Sequence, residues 1–137
     1  MRKEVLLSAT LLVFSAGSLA AQTGAENFDK WWTPALEAIT AAPQNHKVLF
    51  ENDDVRVLEV NIPAHTREPL HVHRYPATIY IDSSPHLIEH LQDGTVVDRG
   101  TRPNGTVRWL PIDQGHFLEN VDDIPLHAIR VELKKFR

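Results

Sequence analysis

From Pro43 onward the chain alternates short runs of β-branched, aliphatic and aromatic residues with clusters of Asn, Asp, Gly, Ser and Pro. A pleated strand accepts branched side chains, and a tight turn needs residues that tolerate unusual backbone angles, so the runs read as strands and the clusters as turns. The pattern predicts strands at 47–51, 55–62, 78–81, 86–92, 95–98, 107–110, 116–121 and 127–133. Asp93-Gly94 sits between two of them, and Asp-Gly in that setting is a strong hairpin signal. Many short strands at regular spacing predict an all-β sandwich or barrel, with no internal repeat and no low-complexity tract.

Ahead of Pro43 the period changes. Trp32, Leu36 and Ile39 recur at helical spacing after a capping residue at Asn27, which predicts one or two short helical turns. Pro34 breaks a continuous helix unless it occupies the first turn, and Pro43 ends the segment. Trp31 and Trp32 are read as packing on the side of the β domain, with a carbohydrate platform as the sharper alternative.

The first residues carry a different signal. Arg2 and Lys3 precede an apolar run from Val5 to Leu19, and Ser18-Leu19-Ala20 supplies the small residues of a cleavage site. This is the layout of a secretory signal peptide, and the run is shorter than the 18 or so apolar residues that span a bilayer. The expected organisation is a signal peptide at 1–20, an N-terminal helical segment at 21–45 and a β-barrel domain at 46–137. The protein is then exported, periplasmic or secreted, with no stable membrane span after cleavage. No twin-arginine pair precedes the run, which favours export of an unfolded chain and metal loading afterwards.

Composition narrows the partners. With 137 residues, 42% hydrophobic and 23% charged, the chain suits one domain around one core. The net charge of -4 becomes -5 once the net +1 of Arg2, Lys3 and Glu4 is removed, and that argues against a nucleic-acid surface, which needs clustered Lys and Arg. A small-molecule substrate or ligand is the expected partner. The sequence has no cysteine, so neither a disulfide framework nor a thiol nucleophile is available. All eight histidines lie beyond the signal segment.

His71-Val72-His73 opens a predicted strand region, where residues two apart project from one face and two imidazoles can reach one ion. His116, from a strand much later in the chain, can complete the set across the interior of a barrel. Imidazole suits Fe, Zn, Cu and Ni, and three protein ligands leave a position for water or substrate. A His-x-His pair by itself also fits ordinary surface histidines.

The wider context of those residues resembles the cupin superfamily. The first motif of that family, G-x5-H-x-H-x3-4-E-x6-G, is matched by the His71-Val72-His73 core. The second, G-x5-P-x-G-x2-H-x3-N, is matched by Gly105, Pro111, His116 and Asn120 at the same spacing. The resemblance runs from about Lys47 to Leu133 and implies a double-stranded β-helix, that is, a jelly-roll barrel, pairing as a homodimer. It departs where the leading glycine of the first motif falls on His65, the middle glycine of the second on Asp113, and the glutamate ligand on Ala77 or Thr78. What remains is a three-His set, similar to that of cupin thiol and diketone dioxygenases.

Other residues have two readings each. His86-Leu87-Ile88-Glu89-His90 matches the H-x-x-E-H peptidase pattern, but that pattern works on a helix and here stands between Pro85 and a hairpin. His65 is a fourth ligand, a base behind the ligands, or a solvated loop residue. Tyr80 offers a phenol as general acid or packs on its strand. Asn120 matches the motif, where such an amide ties backbone together. Arg56 shares strand parity with Leu58, Val60 and Ile62 and faces inward unless the register shifts.

The expected function is that of an exported metal-dependent enzyme, a dioxygenase or a lyase/isomerase, acting on a small chelating anionic molecule. His71, His73 and His116 hold a divalent transition metal, and His65 and Tyr80 are the catalytic candidates. Three neutral imidazoles leave the ion its full charge, which favours an anionic ligand. The alternative is a non-catalytic cupin that binds or senses a small molecule through a degenerate metal site.

Overall fold

The computed structural model describes residues 28–136, so the expected signal peptide lies outside the described residues. Eight strands follow a short helical lead-in: β1 His46–Glu51, β2 Val55–Ile62, β3 Ala77–Ser83, β4 Leu87–Leu91, β5 Val96–Gly100, β6 Thr106–Leu110, β7 His116–Asn120 and β8 Leu126–Leu133. Each lies within two residues of its predicted position. All named pairings are antiparallel and build two sheets, one in the order β1-β2-β8-β3-β6 and the other β5-β4-β7. Among the described residues no helix is long and apolar enough to cross a membrane.

The helical segment is more broken than its periodicity suggests. It forms α1 at Phe28–Trp31, a 3-10 turn at Pro34–Leu36 and α2 at Ala38–Ala41. The break falls at Glu37, whose extended backbone bridges to Val72, with Val72 N donating to Leu36 O at 2.7 Å and Ala38 N donating to Val72 O at 3.0 Å. Pairing with the barrel satisfies backbone groups that a continuous helix would have used internally. The segment is thereby fastened one residue away from His71 and His73.

Strand alternation sorts the interior. On β2, Arg56, Leu58, Val60 and Ile62 are buried, and on β8 Leu126, Ala128, Arg130 and Glu132 are buried. The β2–β8 register pairs Arg56 with Glu132, Leu58 with Arg130, Val60 with Ala128 and Ile62 with Leu126. One end of the inner face is therefore charged and the other apolar. Leu58, Val60, Ile62, Ile81, Leu87, Leu126 and Ala128 form the core, and burying side chains of this size contributes about 1.5–3 kcal/mol each.

A last stretch of pairing closes the second sheet. Glu68 N donates to Leu118 O at 3.0 Å, Asn120 N donates to Thr66 O at 2.8 Å, and His71 and His116 exchange both backbone bonds at 3.0 and 2.9 Å. Residues 66–71 thus run antiparallel beside β7. Two histidines separated by forty-five positions thereby become direct cross-strand neighbours in a hydrogen-bonded pair.

Candidate metal centre and its cavity

Four imidazoles converge at the charged end of the barrel. His46 enters from the first residue of β1, His71 and His73 from the segment before β3, and His116 from the first residue of β7. The His71 ring lies 4.5 Å from that of His46, 5.0 Å from His73 and 4.9 Å from His116, centroid to centroid. His46, His71 and His73 each present a ring nitrogen within 4.8 Å of the others, close enough to share one ion.

Each ring is tethered through Nδ1. In His71 it donates to Pro69 O at 2.9 Å, in His46 to Ala42 O at 3.3 Å, in His73 to Glu132 Oε1 at 3.0 Å and in His116 to Glu89 Oε1 at 2.6 Å. A carbonyl or carboxylate oxygen only accepts, so the proton sits on Nδ1 and the lone pair on Nε2 is left for another partner. Histidine ligands of metals are oriented in this way. The Nε2 atom of His71 is buried and has no hydrogen-bond partner.

Electrostatics keep His46, His71 and His73 neutral. Burial pushes His46 down to about 3 against its bond to Ala42, and Arg130, His116 and Arg56 act in the same sense as burial. His71 and His73 are also lowered well below the usual imidazole range, first by burial and then by neighbouring positive groups. A neutral imidazole is the form that ligates.

Behind the rings lies a charged frame. Glu132, with no exposed surface, accepts from Arg56 Nε at 2.6 Å and from Arg130 Nε at 3.1 Å as well as from His73. Arg56 also bonds Glu37, which accepts from Trp32 Nε1 at 2.8 Å. The inward reading of Arg56 is the one the structure adopts, and Trp32 lies against the barrel through this bond and through Arg74 over its ring at 4.9 Å.

A carboxyl group is present after all, though at neither position the motif indicated. Ala77 is a buried apolar residue, and Thr78 Oγ1 donates to Arg108 O at 3.3 Å. Glu68 instead enters from three residues before His71, with Oε1 3.7 Å from His46 Nε2 and Oε2 accepting from Leu118 N at 3.1 Å. Its Oε1 is buried without a partner, and burial raises the carboxyl to about 7. The lone pair of His71 and the free oxygen of Glu68 are both buried without a hydrogen bond, a costly arrangement that a cation would relieve.

The histidines open onto a cavity of about 230 Å³ between the two sheets, walled by Ile79, Leu87 and Leu118 and by arginines of β5, β6 and the loop between them. His65 and Tyr80 do not reach it. His65 is exposed, with its ring on Asp123 Oδ1 at 2.7 Å, and its backbone has φ 56°, the left-handed region natural to the glycine whose place it takes. Tyr80 is 48% exposed on β3 because its neighbours Ile79 and Ile81 take the inward parity.

His86 and His90 also stand outside the cluster. The H-x-x-E-H stretch enters strand β4 at Leu87, with His86 on Asp98 at 2.8 Å and His90 on Glu119 at 3.1 Å. Its Glu89 does face the cavity, joined to His116 and to Arg99 Nε at 2.6 Å. Burial raises the Glu89 carboxyl, but the bond and charge of His116, and then those of Arg99, outweigh it and bring the group to about 2. Asn120 ties backbone as expected, its Nδ2 donating to Ile62 O, Pro63 O and Ile124 O at 3.1, 3.2 and 2.8 Å.

Solved structures place this architecture. A cupin domain from Bordetella pertussis Tohama I superposes with a TM-score of 0.58 at 20% identity, covering 65% of this chain and 91% of that one. A double-stranded β-helix protein from Klebsiella pneumoniae gives 0.51 at 18% identity over 78% and 86% of the two chains. An RmlC-like cupin from Methanocaldococcus jannaschii gives 0.51 at 15% identity over 64% and 77%. The fold is thus the double-stranded β-helix of the cupins. No protein-family model and no curated protein matches the chain.

Proposed function

We propose that this protein is an exported metal-dependent cupin acting on a small chelating anionic molecule, as a dioxygenase or a lyase/isomerase. One observation carries the reading: four imidazoles are each fixed at Nδ1 around one space, and His71 Nε2 and Glu68 Oε1 are two of the three buried side-chain atoms without a hydrogen-bond partner among the described residues, the third being Asn45 Oδ1. His46, His71 and His73 would hold the ion, with His116 closing the site from β7 and Glu68 adding a carboxyl oxygen. The donor set is nitrogen-rich and suits Fe, Zn, Cu or Ni.

When bound, such an ion supplies Lewis acidity and, as iron or copper, electron exchange with dioxygen. The chain does the rest. Leu87, Leu118 and Ile79 give the cavity an apolar wall, while the Glu132 and Glu89 carboxylates fix the orientation of His73 and His116. Glu68, whose Oε1 lies 3.7 Å from His46 Nε2 without a hydrogen bond, takes the place of His65 and Tyr80 as the group to test for proton transfer.

The test is metal content of the purified mature protein after equilibration with each of the four metals, followed by oxygen uptake with diketones, thiols and hydroxy acids. Stoichiometric retention that is lost in His71→Ala supports the reading. Absence of retention for every metal overturns it. The other class, a binding or sensing cupin without turnover, is favoured by the exclusion of both His65 and Tyr80 from the cavity, and it predicts ligand binding with no product formed.

A further inference from the structure

Four arginines, Arg99, Arg102, Arg108 and Arg130, line the cavity against three carboxyl residues, Glu68, Glu89 and Asp113. Arg130 is matched by Glu132, and Arg99 by Glu89. Arg102 and Arg108 line the same cavity, yet no hydrogen bond or ion pair joins either guanidinium to a carboxylate among the described residues. Arg108 stands opposite Ile79 in the β3–β6 register, on the parity that faces inward, whereas Val107 beside it is 65% exposed. Arg102 is carried by the loop from β5 to β6. That loop is pinned by Arg102 N donating to Ser84 Oγ at 3.1 Å and by Gly105 N donating to Ile81 O at 2.7 Å, with Gly105 at φ 85°.

Placing these side chains together costs stability. Partial burial lowers Arg108 from its ordinary value, and repulsion from Arg102 and then Arg99 lowers it further. A guanidinium on a solvated face would escape that repulsion by turning outward. Here the strand parity of Arg108 and the anchored loop of Arg102 bring both to the wall of one cavity. Paired guanidiniums with open donor forks match the geometry of a carboxylate, sulfonate or phosphate.

We propose that Arg102 and Arg108 form an anion subsite, so that the molecule taken by this cavity carries a second anionic group besides the chelating one that meets the histidines. The inference rests on the metal-centred reading above for the first group and adds the second. It narrows the ligand class from chelating monoanions to chelating molecules with an oxyanion at another position. Arg99, held by Glu89, contributes charge to the subsite and leaves the open donors to Arg102 and Arg108.

Two probes isolate the second group: 2-oxoglutarate and 2-oxopentanoate share a chelating head and a five-carbon chain, and differ by a carboxylate against a methyl group. Calorimetric titration of the nickel-loaded protein is expected to show 2-oxoglutarate bound at least roughly 10-fold tighter, the scale of one charge-assisted pair. Arg102→Gln and Arg108→Gln should each reduce that preference and the double variant should remove it, with 2-oxopentanoate binding unchanged. A wild-type protein without the preference, or a double variant that keeps it, overturns the proposal. Nickel content is measured on the same samples. If nickel is not retained, the metal reading falls, and the same pair of probes on the metal-free protein decides the arginine subsite by the same criterion.

Discussion

The Glu132 carboxylate accepts the Nδ1 proton of His73 at 3.0 Å while it neutralises Arg56 and Arg130 on its other sides. One buried group thus orients a candidate ligand and holds two buried cations in place. Orientation of the site and stability of the barrel are coupled through it.

Glu132→Gln removes that charge with almost no change in volume. Leaving buried Arg56 and Arg130 undercompensated should cost about 3–5 kcal/mol in urea unfolding of the metal-free protein. Nickel affinity should fall about 10–100-fold through the loosened His73 ring. A variant as stable as wild type would show that the frame does not carry this weight.

His46→Ala is expected to reduce metal affinity by more than about 100-fold, beyond the effect of losing an outer hydrogen-bond partner. His86→Ala and His90→Ala, whose rings bond Asp98 and Glu119 outside the cluster, should leave metal content unchanged. Competition with a chromophoric chelator reads all three.

Asn120→Ala separates structure from site. Its amide serves three carbonyls and its Oδ1 accepts from Asp122 N at 3.0 Å, so the variant should lose about 2–3 kcal/mol of stability. Metal affinity measured well below its melting temperature should stay within a factor of two or so, since Asn120 touches none of the four rings.

His127 gives a pH signature away from the centre. Its ring bonds Asp82 Oδ1 at 2.6 Å and Glu59 Oε1 at 3.2 Å, which raise it above the ordinary imidazole value. The folded state then holds the proton more tightly than the unfolded state. Its contribution is full below about 6.5, the unfolded value, and is lost as pH rises through the folded one. Melting curves of wild type and His127→Gln should differ most below about pH 6.5 and converge as pH rises above it; a constant gap would refute the linkage.

The export expectation has its own measurement. Intact mass of the secreted or periplasmic product should correspond to a chain beginning at Ala21, and a product that retains Met1 to Ala20 would contradict it.

The sequence by itself determined the strands, because a period of two in branched residues and the turn chemistry of Asp93-Gly94 and Asn104-Gly105 are local properties. It also marked His71, His73 and His116, since a two-residue spacing and a spaced motif survive without coordinates. His46 left no such mark. It is the one buried residue of an otherwise exposed β1, and only its register against Val60 turns it inward. Glu68 was equally hidden, because the motif places the carboxylate after the histidines and the chain delivers it from before them, through pairing of residues 66–71 with β7. The same holds for Arg102 and Arg108, which no local pattern marks and which meet at one cavity only through the pairing of β6 with β3 and the loop from β5. Local pattern decides which residues extend and turn; which of them share a space depends on pairings between distant segments, and only the tertiary structure decides those.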